Sequence, residues 1–406
     1  MARAKSTTKK KTTKKTPESK KGGLAKVRAT VKNAFKHDDY EEDLDYTSLQ
    51  SSLPHLPTGS LVVDFLIGGR LNSYGVAPCP GLPKGRIMQL YGHESSGKTT
   101  LALTAAATTI ANGGEVLYVD WEHEVSPTYA ASLGVPIGDR DHFMLCQPTT
   151  MEEGLALIYT AAKEGVDLVI IDSIGACVPK SELEKGPEDQ GSVGRIGKLA
   201  QIWSAFLPRL KPLCKRTGTH VLAISQIREK ISLGGYGDTT NVQGGRAWKF
   251  YSAIRMKLQK IKTEKAKQLN PLTHKVEDQV VGQIVRARLE KNKVSDSQGH
   301  DQQFYLRWGK GIDDVRSVIE MAISYGIVKK GGAWLTWELP DGDTIKTQGM
   351  DKFRAELESR DGSFQSLFSQ ILPILSGDGV PTAVPDEDEK FDDDFISELA
   401  GSSAED

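Results

Sequence analysis

Glycines at 92 and 97, with Lys98 and Thr99 directly after the second, form a spacing that can close around phosphate. The stretch Gly92-His93-Glu94-Ser95-Ser96-Gly97-Lys98-Thr99-Thr100 meets every fixed position of G-x-x-x-x-G-K-[ST]. Glycine lets the backbone curl until successive N–H groups point inward, and a helix starting there adds positive dipole. Lys98 would reach the β- and γ-phosphates and the Thr99 hydroxyl would ligate Mg²⁺, with Gly92, Glu94, Ser95, Ser96, Gly97 and Thr100 lining the cradle. The flanks agree: Ile87 to Tyr91 reads as a buried strand, and Leu101 to Ala107 is rich in helix formers. The motif therefore predicts a nucleoside triphosphate bound with Mg²⁺.

Two carboxylates stand where such a site needs them. Leu168-Val169-Ile170-Ile171-Asp172-Ser173 is an apolar run ending in Asp, as expected of the strand whose carboxylate holds Mg²⁺ through water. Many buried strands end in Asp, and it is the cradle about eighty residues upstream that makes Asp172 informative. Val119-Asp120-Trp121-Glu122-His123 ends the strand after the cradle helix, which places Glu122 at the edge of the sheet. A carboxylate there can orient and polarise an attacking water, and strand position alone leaves a plain surface acid equally open.

The elements that must hold these groups alternate. Strands are predicted over Glu115 to Asp120, His142 to Gln147, Asp167 to Asp172 and Thr219 to Ser225. Helices are predicted over Pro127 to Leu133, Met151 to Glu164 and about Val193 to Arg216. Alternation of this length implies a mostly parallel central sheet covered by helices, with ligands at the carboxyl ends of its strands. Ala253 to Ile261, Val281 to Lys291 and Gln302 to Trp308 have no helices between them and read as antiparallel edge strands. From Lys310 on, a helix about Val315 to Ala322 and a strand about Ala333 to Trp337 suggest a small α+β domain. Gly68 to Gly85, rich in Gly and Pro, reads as a surface loop.

With 406 residues, 38% hydrophobic and 26% charged, the chain can build one large core and a smaller one. Cys79, Cys146, Cys177 and Cys214 form no C-x-x-C pair, which argues against a zinc ribbon or disulfide framework and fits a reducing, cytoplasmic setting. No apolar run reaches membrane-span length, so no membrane role is expected. The net charge of −1 averages over opposite ends. Residues 1–23 are nearly all Lys, Thr, Ser and Ala and read as a disordered basic arm, either a hold on nucleic-acid backbone or a solubilising tail. Leu24, Val27, Val31 and Phe35 form one helical stripe, and an acidic linker follows. Asp386 to Asp406 carries ten carboxylates against Lys390 and reads as a disordered acidic tail.

Taken together, Pro57-Thr58-Gly59-Ser60, the cradle, Asp120-Trp121-Glu122-His123, Ile171-Asp172-Ser173, Ser225-Gln226-Ile227-Arg228 and Gly244-Gly245-Arg246-Ala247-Trp248-Lys249-Phe250-Tyr251 resemble the bacterial RecA recombinases, from about Leu56 to Leu375. The resemblance implies an α/β fold: a RecA-like core with antiparallel edge strands and a small C-terminal α+β domain. The corresponding divisions are 1–23, 24–55 with a stripe that could serve polymerisation, a core over 56–309, a small domain over 310–376, and a tail over 377–406. It implies an ATPase that forms a helical filament on single-stranded DNA and pairs it with homologous double-stranded DNA, in recombination and repair. Single-strand-binding and loading proteins would be its partners.

Carried over by position, Lys98 and Thr99 bind phosphate and Mg²⁺, Asp172 supports the metal and Glu122 activates water. Tyr129 stacks on adenine, Gln226 senses the γ-phosphate, and Lys291 and Lys293 reach a neighbouring subunit's ATP. Two DNA-binding loops map to Glu182 to Gly197 and Ile227 to Arg246, with Val193, Gly194, Arg195, Lys198, Arg228, Lys230, Gly244, Gly245 and Arg246 as contacts. Backbone N–H groups and a few cations can grip phosphate without reading bases.

Ser126 stands where the family typically has an acidic residue against adenine, and the Gly68 to Pro83 loop is longer than usual. These departures, with the basic arm, mark a divergent member, and a phage-infected cell is one setting for it. Two other functions share the motif: a ring-forming helicase of the same fold, and a structural DNA-coating protein that binds ATP without needing turnover. The missing four-cysteine element and the Gly-Gly-Arg loop argue against the first, the intact Glu122 and Asp172 against the second.

Overall fold

The computed structural model describes residues 50–184, 192–229, 240–242, 244–269 and 274–375. The chain divides into Met1–Ser48 and Leu49–Asp406, and only the second unit contains described residues. The basic arm, the Leu24 to Phe35 stripe and the acidic tail therefore lie outside them.

Strand and helix alternate as the hydrophobic pattern requires: β1 (Ile87–Gly92), α1 (Lys98–Ala111), β2 (Val116–Asp120), α2 (Pro127–Ser132), β3 (Phe143–Cys146), α3 (Met151–Glu164), β4 (Leu168–Asp172), α4 (Ser192–Thr217) and β5 (His220–Glu229). After the short helix α5 (Ala247–Tyr251) come β6 (Ile254–Leu269), β7 (Val276–Asn292), β8 (Asp301–Arg307) and β9 (Gly311–Ile312). They form one sheet in the order β9-β8-β7-β6-β1-β5-β4-β2-β3, with Thr240–Val242 beside β5. From β6 to β3 all pairings are parallel, and from β6 to β9 all are antiparallel.

Both faces of the parallel part are covered, so its strands are apolar throughout rather than alternating. On β4, Leu168 and Ile170 join α1 in one core, while Val169 and Ile171 join α3 and α4 in the other. Local sequence sets the ends of these helices. Thr150 and Glu153 close a capping box on α3, and Gly165 ends it in the left-handed region at φ 84°.

The segment read as a surface loop is only partly one. Cys79 and Leu82 are buried, and Leu82–Pro83 pairs with His55–Leu56. The Pro83 carbonyl accepts Nδ1–H of the buried His220 at 2.7 Å, which pins this end of the loop under β5.

Residues 314–375 form a helix (Asp314–Ser324), a three-stranded antiparallel sheet and two further helices, with a core of their own. Val62, from helix Leu61–Gly68, packs inside that core, and the Leu61 N–H donates to both oxygens of Asp314 at 3.0 Å. Asp313 caps the first helix and accepts twice from Arg354 at 2.9 and 2.7 Å. Among the described residues no helix is long and apolar enough to cross a membrane, and all four cysteines are free thiols.

Candidate nucleotide and DNA site

The phosphate cradle lies between β1 and α1 at the carboxyl edge of the parallel strands. Its glycines are dictated by space. A Cβ on Gly92 would stand 2.3 Å from the Leu258 carbonyl, and one on Gly97, at φ 88°, 2.5 Å from Leu306. Ser95 is also left-handed, at φ 58°, and its carbonyl accepts from Gln283 of β7 at 3.0 Å, a prop that no motif announced. The buried Ser96 hydroxyl has no hydrogen-bond partner among the described residues, and a phosphate oxygen would supply one.

Lys98 is 7% exposed and donates from Nζ to the His93 carbonyl at 2.7 Å, so the loop is closed on its own lysine. Burial pulls the Lys98 ammonium down, against the opposing pull of Asp172, Glu122 and Glu94. Thr99 Oγ1 donates to Asp172 Oδ2 at 2.9 Å, and the same oxygen accepts from Tyr118 OH at 2.7 Å. Burial lifts Asp172 to about 6, partly offset by the Tyr118 hydrogen bond, with Glu122 adding to the rise. Among the described residues no three His, Cys, Asp or Glu side chains gather as a metal site. Thr99 and Asp172 alone fit a Mg²⁺ that takes its remaining ligands from phosphate and water.

Glu122 is held from two sides. Oε1 accepts from Ser173 Oγ at 2.5 Å and from Gln226 Nε2 at 3.0 Å, while Oε2 takes no hydrogen bond from the described residues. Gln226 reaches it because β5 is registered on β1 with Gln226 opposite Gly92. The turn carrying Glu122 is organised by Asp120, which is fully buried. Its Oδ1 accepts the N–H groups of Glu122 (3.1 Å) and His123 (2.9 Å), and Oδ2 accepts from Val125 N (3.1 Å) and Gln147 Nε2 (2.9 Å). Asp120, Ser173 and Tyr118 were missed as functional residues. The available signal was an Asp at a strand end followed by unpaired N–H groups, the pattern of a side-chain-closed turn.

Tyr129 lies in the first turn of α2, its OH 2.6 Å from Thr100 Oγ1. Ser126, the departure noted in the sequence, is the N-cap of α2, its hydroxyl accepting the Tyr129 N–H at 3.4 Å.

Lys291 and Lys293 are not brought to this cradle. β7 runs antiparallel, Lys291 pairs with Arg255, and Arg255 pairs with Gln89, whereas Gly92 pairs with Leu258. That register puts the lysines about 10 Å back along the strands, toward the amino edge. Lys291 Nζ donates to the carbonyls of Lys249 (2.8 Å), Phe250 (3.2 Å) and Ser252 (2.6 Å), at the end of α5. Burial, with Lys293, Lys211 and Arg255 nearby, pushes Lys291 down to about 8. Asn292 between them is buried and donates to the Ile67 carbonyl at 3.1 Å.

Of the predicted DNA contacts, Gly244 and Gly245 are left-handed at φ 93° and 84°, and a Cβ on either would strike Ile174 or Ala200. Arg246 is exposed ahead of α5, and Lys198 contacts Ser181 Oγ and lies 3.9 Å from Glu182. Val193, Gly194 and Arg195 fall in the first turns of α4 and Arg228 near the end of β5. Their side chains, and Lys230 as a whole, lie outside the described residues.

Residues 44–313 match the family model of the RecA N-terminal domain. Protein RecA of Fusobacterium nucleatum is 37% identical over 304 residues, which are 75% of this chain and 72% of that one. Protein RecA of Thermus thermophilus is 33% identical over 335 residues, covering 82% and 89% of the two chains. Protein RecA of Bifidobacterium breve is 35% identical over 317 residues, covering 78% and 72%. The cradle, the carboxylates of Asp172 and Glu122 and these matches along most of the chain lead to one conclusion: the chain belongs to the RecA family of ATP-dependent recombinases, DNA-dependent ATPases of recombination and repair.

Proposed function

We propose that Lys98 and Thr99 bind the triphosphate of ATP, that Thr99 and Asp172 hold Mg²⁺, and that Glu122 polarises the water attacking the γ-phosphorus. The metal would screen phosphate charge in that step. Gln226 reports the γ-phosphate to residues 227–246, which with residues 182–197 grip single-stranded DNA, and Tyr129 stacks on adenine. Subunits join head to tail in a helical filament, with Lys291 and Lys293 approaching the ATP of the next subunit and homologous duplex drawn in for exchange. Single-strand-binding and loading proteins would hand DNA to that filament.

The single observation that carries this reading is the Gln226–Glu122 contact at 3.0 Å. A neutral amide on the one carboxylate poised to activate water ties the hydrolytic residue to the strand that leads into a DNA-facing segment. The test is ATP turnover with and without single-stranded DNA. Wild type is expected to turn over ATP in a DNA-dependent manner. Glu122→Gln should lose at least about a hundredfold in kcat while retaining ATP and DNA binding, because only water activation is touched. Loss of ATP binding in that variant would make Glu122 a structural residue.

A further inference from the structure

Three tryptophans lie edge to face in the second core, and each belongs to a different part of the machinery. Trp121 adjoins Glu122, Trp203 lies on α4, and Trp248 lies on α5. Ring centroids are 6.1 Å apart for Trp121–Trp203 and 4.8 Å for Trp203–Trp248, at interplanar angles of 85° and 67°. All three are buried, Trp203 and Trp248 completely. Room has been made for them: a Cβ on Gly154 would stand 2.1 Å from Trp121, so α3 carries glycine there. Trp203 also donates from Nε1 to the carbonyl of Ile174 at 3.2 Å, two residues past Asp172, and Gly244 packs between Ile174 and Trp248.

We infer that Trp203 is a positioning residue, the joint through which both DNA-facing segments bear on the ATP site. The inference rests on the assignment of residues 182–197 and 227–246 to DNA. α4 begins with the last residues of the first segment, and α5 directly follows the second. Both helices meet at Trp203, which presses on the neighbour of Glu122 and grips the strand end that carries Asp172. Close-packed interiors hand displacements on rather than absorbing them, and edge-to-face rings add directional contact.

The fold also supplies a pivot. Pro208 and Pro212 lie inside α4, and each removes a backbone donor from the helical ladder just past Trp203. The part of α4 before Pro208 can therefore tilt against the part after Pro212, where Leu213 and Cys214 are anchored in the core. The tilt displaces Trp203 relative to Trp121.

The experiment measures coupling rather than activity. For the full chain, the factor by which a non-hydrolysable ATP analogue tightens single-stranded DNA binding must equal the factor by which DNA tightens analogue binding. Trp203→Phe keeps an aromatic body but removes the indole donor and most of the contact with Trp121 and Trp248. Both factors are expected to fall together by about fivefold, with affinity for each ligand alone nearly unchanged. Phe143→Ala, on the edge strand β3 and in the other core, serves as the control, since it destabilises the fold without touching the joint or its pivot. Equal loss of coupling in Trp203→Phe and Phe143→Ala, or unchanged coupling in Trp203→Phe, overturns the inference. If wild type shows no mutual tightening at all, it is the DNA assignment that fails.

Discussion

The two edges of the central sheet are built on opposite plans. At the carboxyl edge, Glu122, Ser173, Gln226, Thr99, Tyr118 and Asp172 are joined by short hydrogen bonds within one subunit. At the amino edge, Lys291 is held, among the described residues, by carbonyls at the end of a short helix, with Lys293, Lys211 and Arg255 as nearby cations. A group of acids and amides can be preorganised within one chain because each member satisfies another. Cations cannot satisfy one another, since like charges raise each other's energy, and Arg255 instead takes Glu290 at 3.4 Å and Gln89 at 2.8 Å. The difference fits the proposal that Lys291 and Lys293 meet phosphate from a neighbouring subunit, since this subunit's own cradle does not present it to them.

The sharpest way to break this contrast is by mixing. A chain with Lys291→Ala and Lys293→Ala, and a chain with Glu122→Ala, should each be inactive alone. If each site takes Glu122 from one subunit and lysines from the next, equal random mixing leaves about a quarter of the interfaces complete. ATPase should reappear at roughly that fraction of wild type. Activity staying at the level of the unmixed variants, with co-assembly confirmed, would place both groups in the same subunit's site.

Asp120→Asn sharpens the carboxyl-edge half. An amide places a donor against the donors of Val125 and Gln147, and about 1–3 kcal/mol of turn organisation is lost. The expected result is a kcat about tenfold lower with KM for ATP little changed, because Glu122 is displaced while the cradle is not. A rise in KM alone would move Asp120 to ATP binding.

The smallest effect probes what supports the amino edge. Asn292 leans on Ile67 at the end of helix Leu61–Gly68, and that helix carries the buried Asp64, whose Oδ1 accepts the Thr58 N–H at 2.8 Å. Burial lifts Asp64 to about 7, and burial likewise lifts nearby Asp314 to about 6. A carboxyl raised in the folded state binds more protons there than in the unfolded chain. Its stabilising effect is full below about pH 4 and is lost as pH rises through about 7. Asp64→Asn retains the acceptor and cannot ionise, so it should raise stability by about 1–2 kcal/mol at pH 8 relative to wild type and by little or nothing at pH 5. Thermal melts at the two pH values check this, and a stabilisation equal at both would remove ionisation as the cause.

How much of this could be read beforehand varies with how local the signal is. The cradle, its flanking strand and helix, α3 from Met151 to Glu164 and the apolar runs ending in Asp120 and Asp172 depend on neighbours in sequence, where spacing and helix or strand period are decisive. The buried end of the Gly68 to Gly85 segment was not legible, because Gly and Pro mark turns and say nothing of what packs over them. Gln226 lying opposite Gly92 is a matter of strand register between residues far apart in the chain, and no periodicity within either strand encodes it.

The sequence by itself determined that a triphosphate cradle sits on a helix-covered parallel sheet, with two carboxylates at strand ends, since each of those features is written within a few turns of chain. Only the tertiary structure decided which oxygen Gln226 holds, that Asp120 organises the turn of Glu122, that Lys291 rests on α5, and that three tryptophans meet. Those depend on the order in which strands pair and helices pack, and order in space is set by burial summed over the whole core rather than by any segment within it.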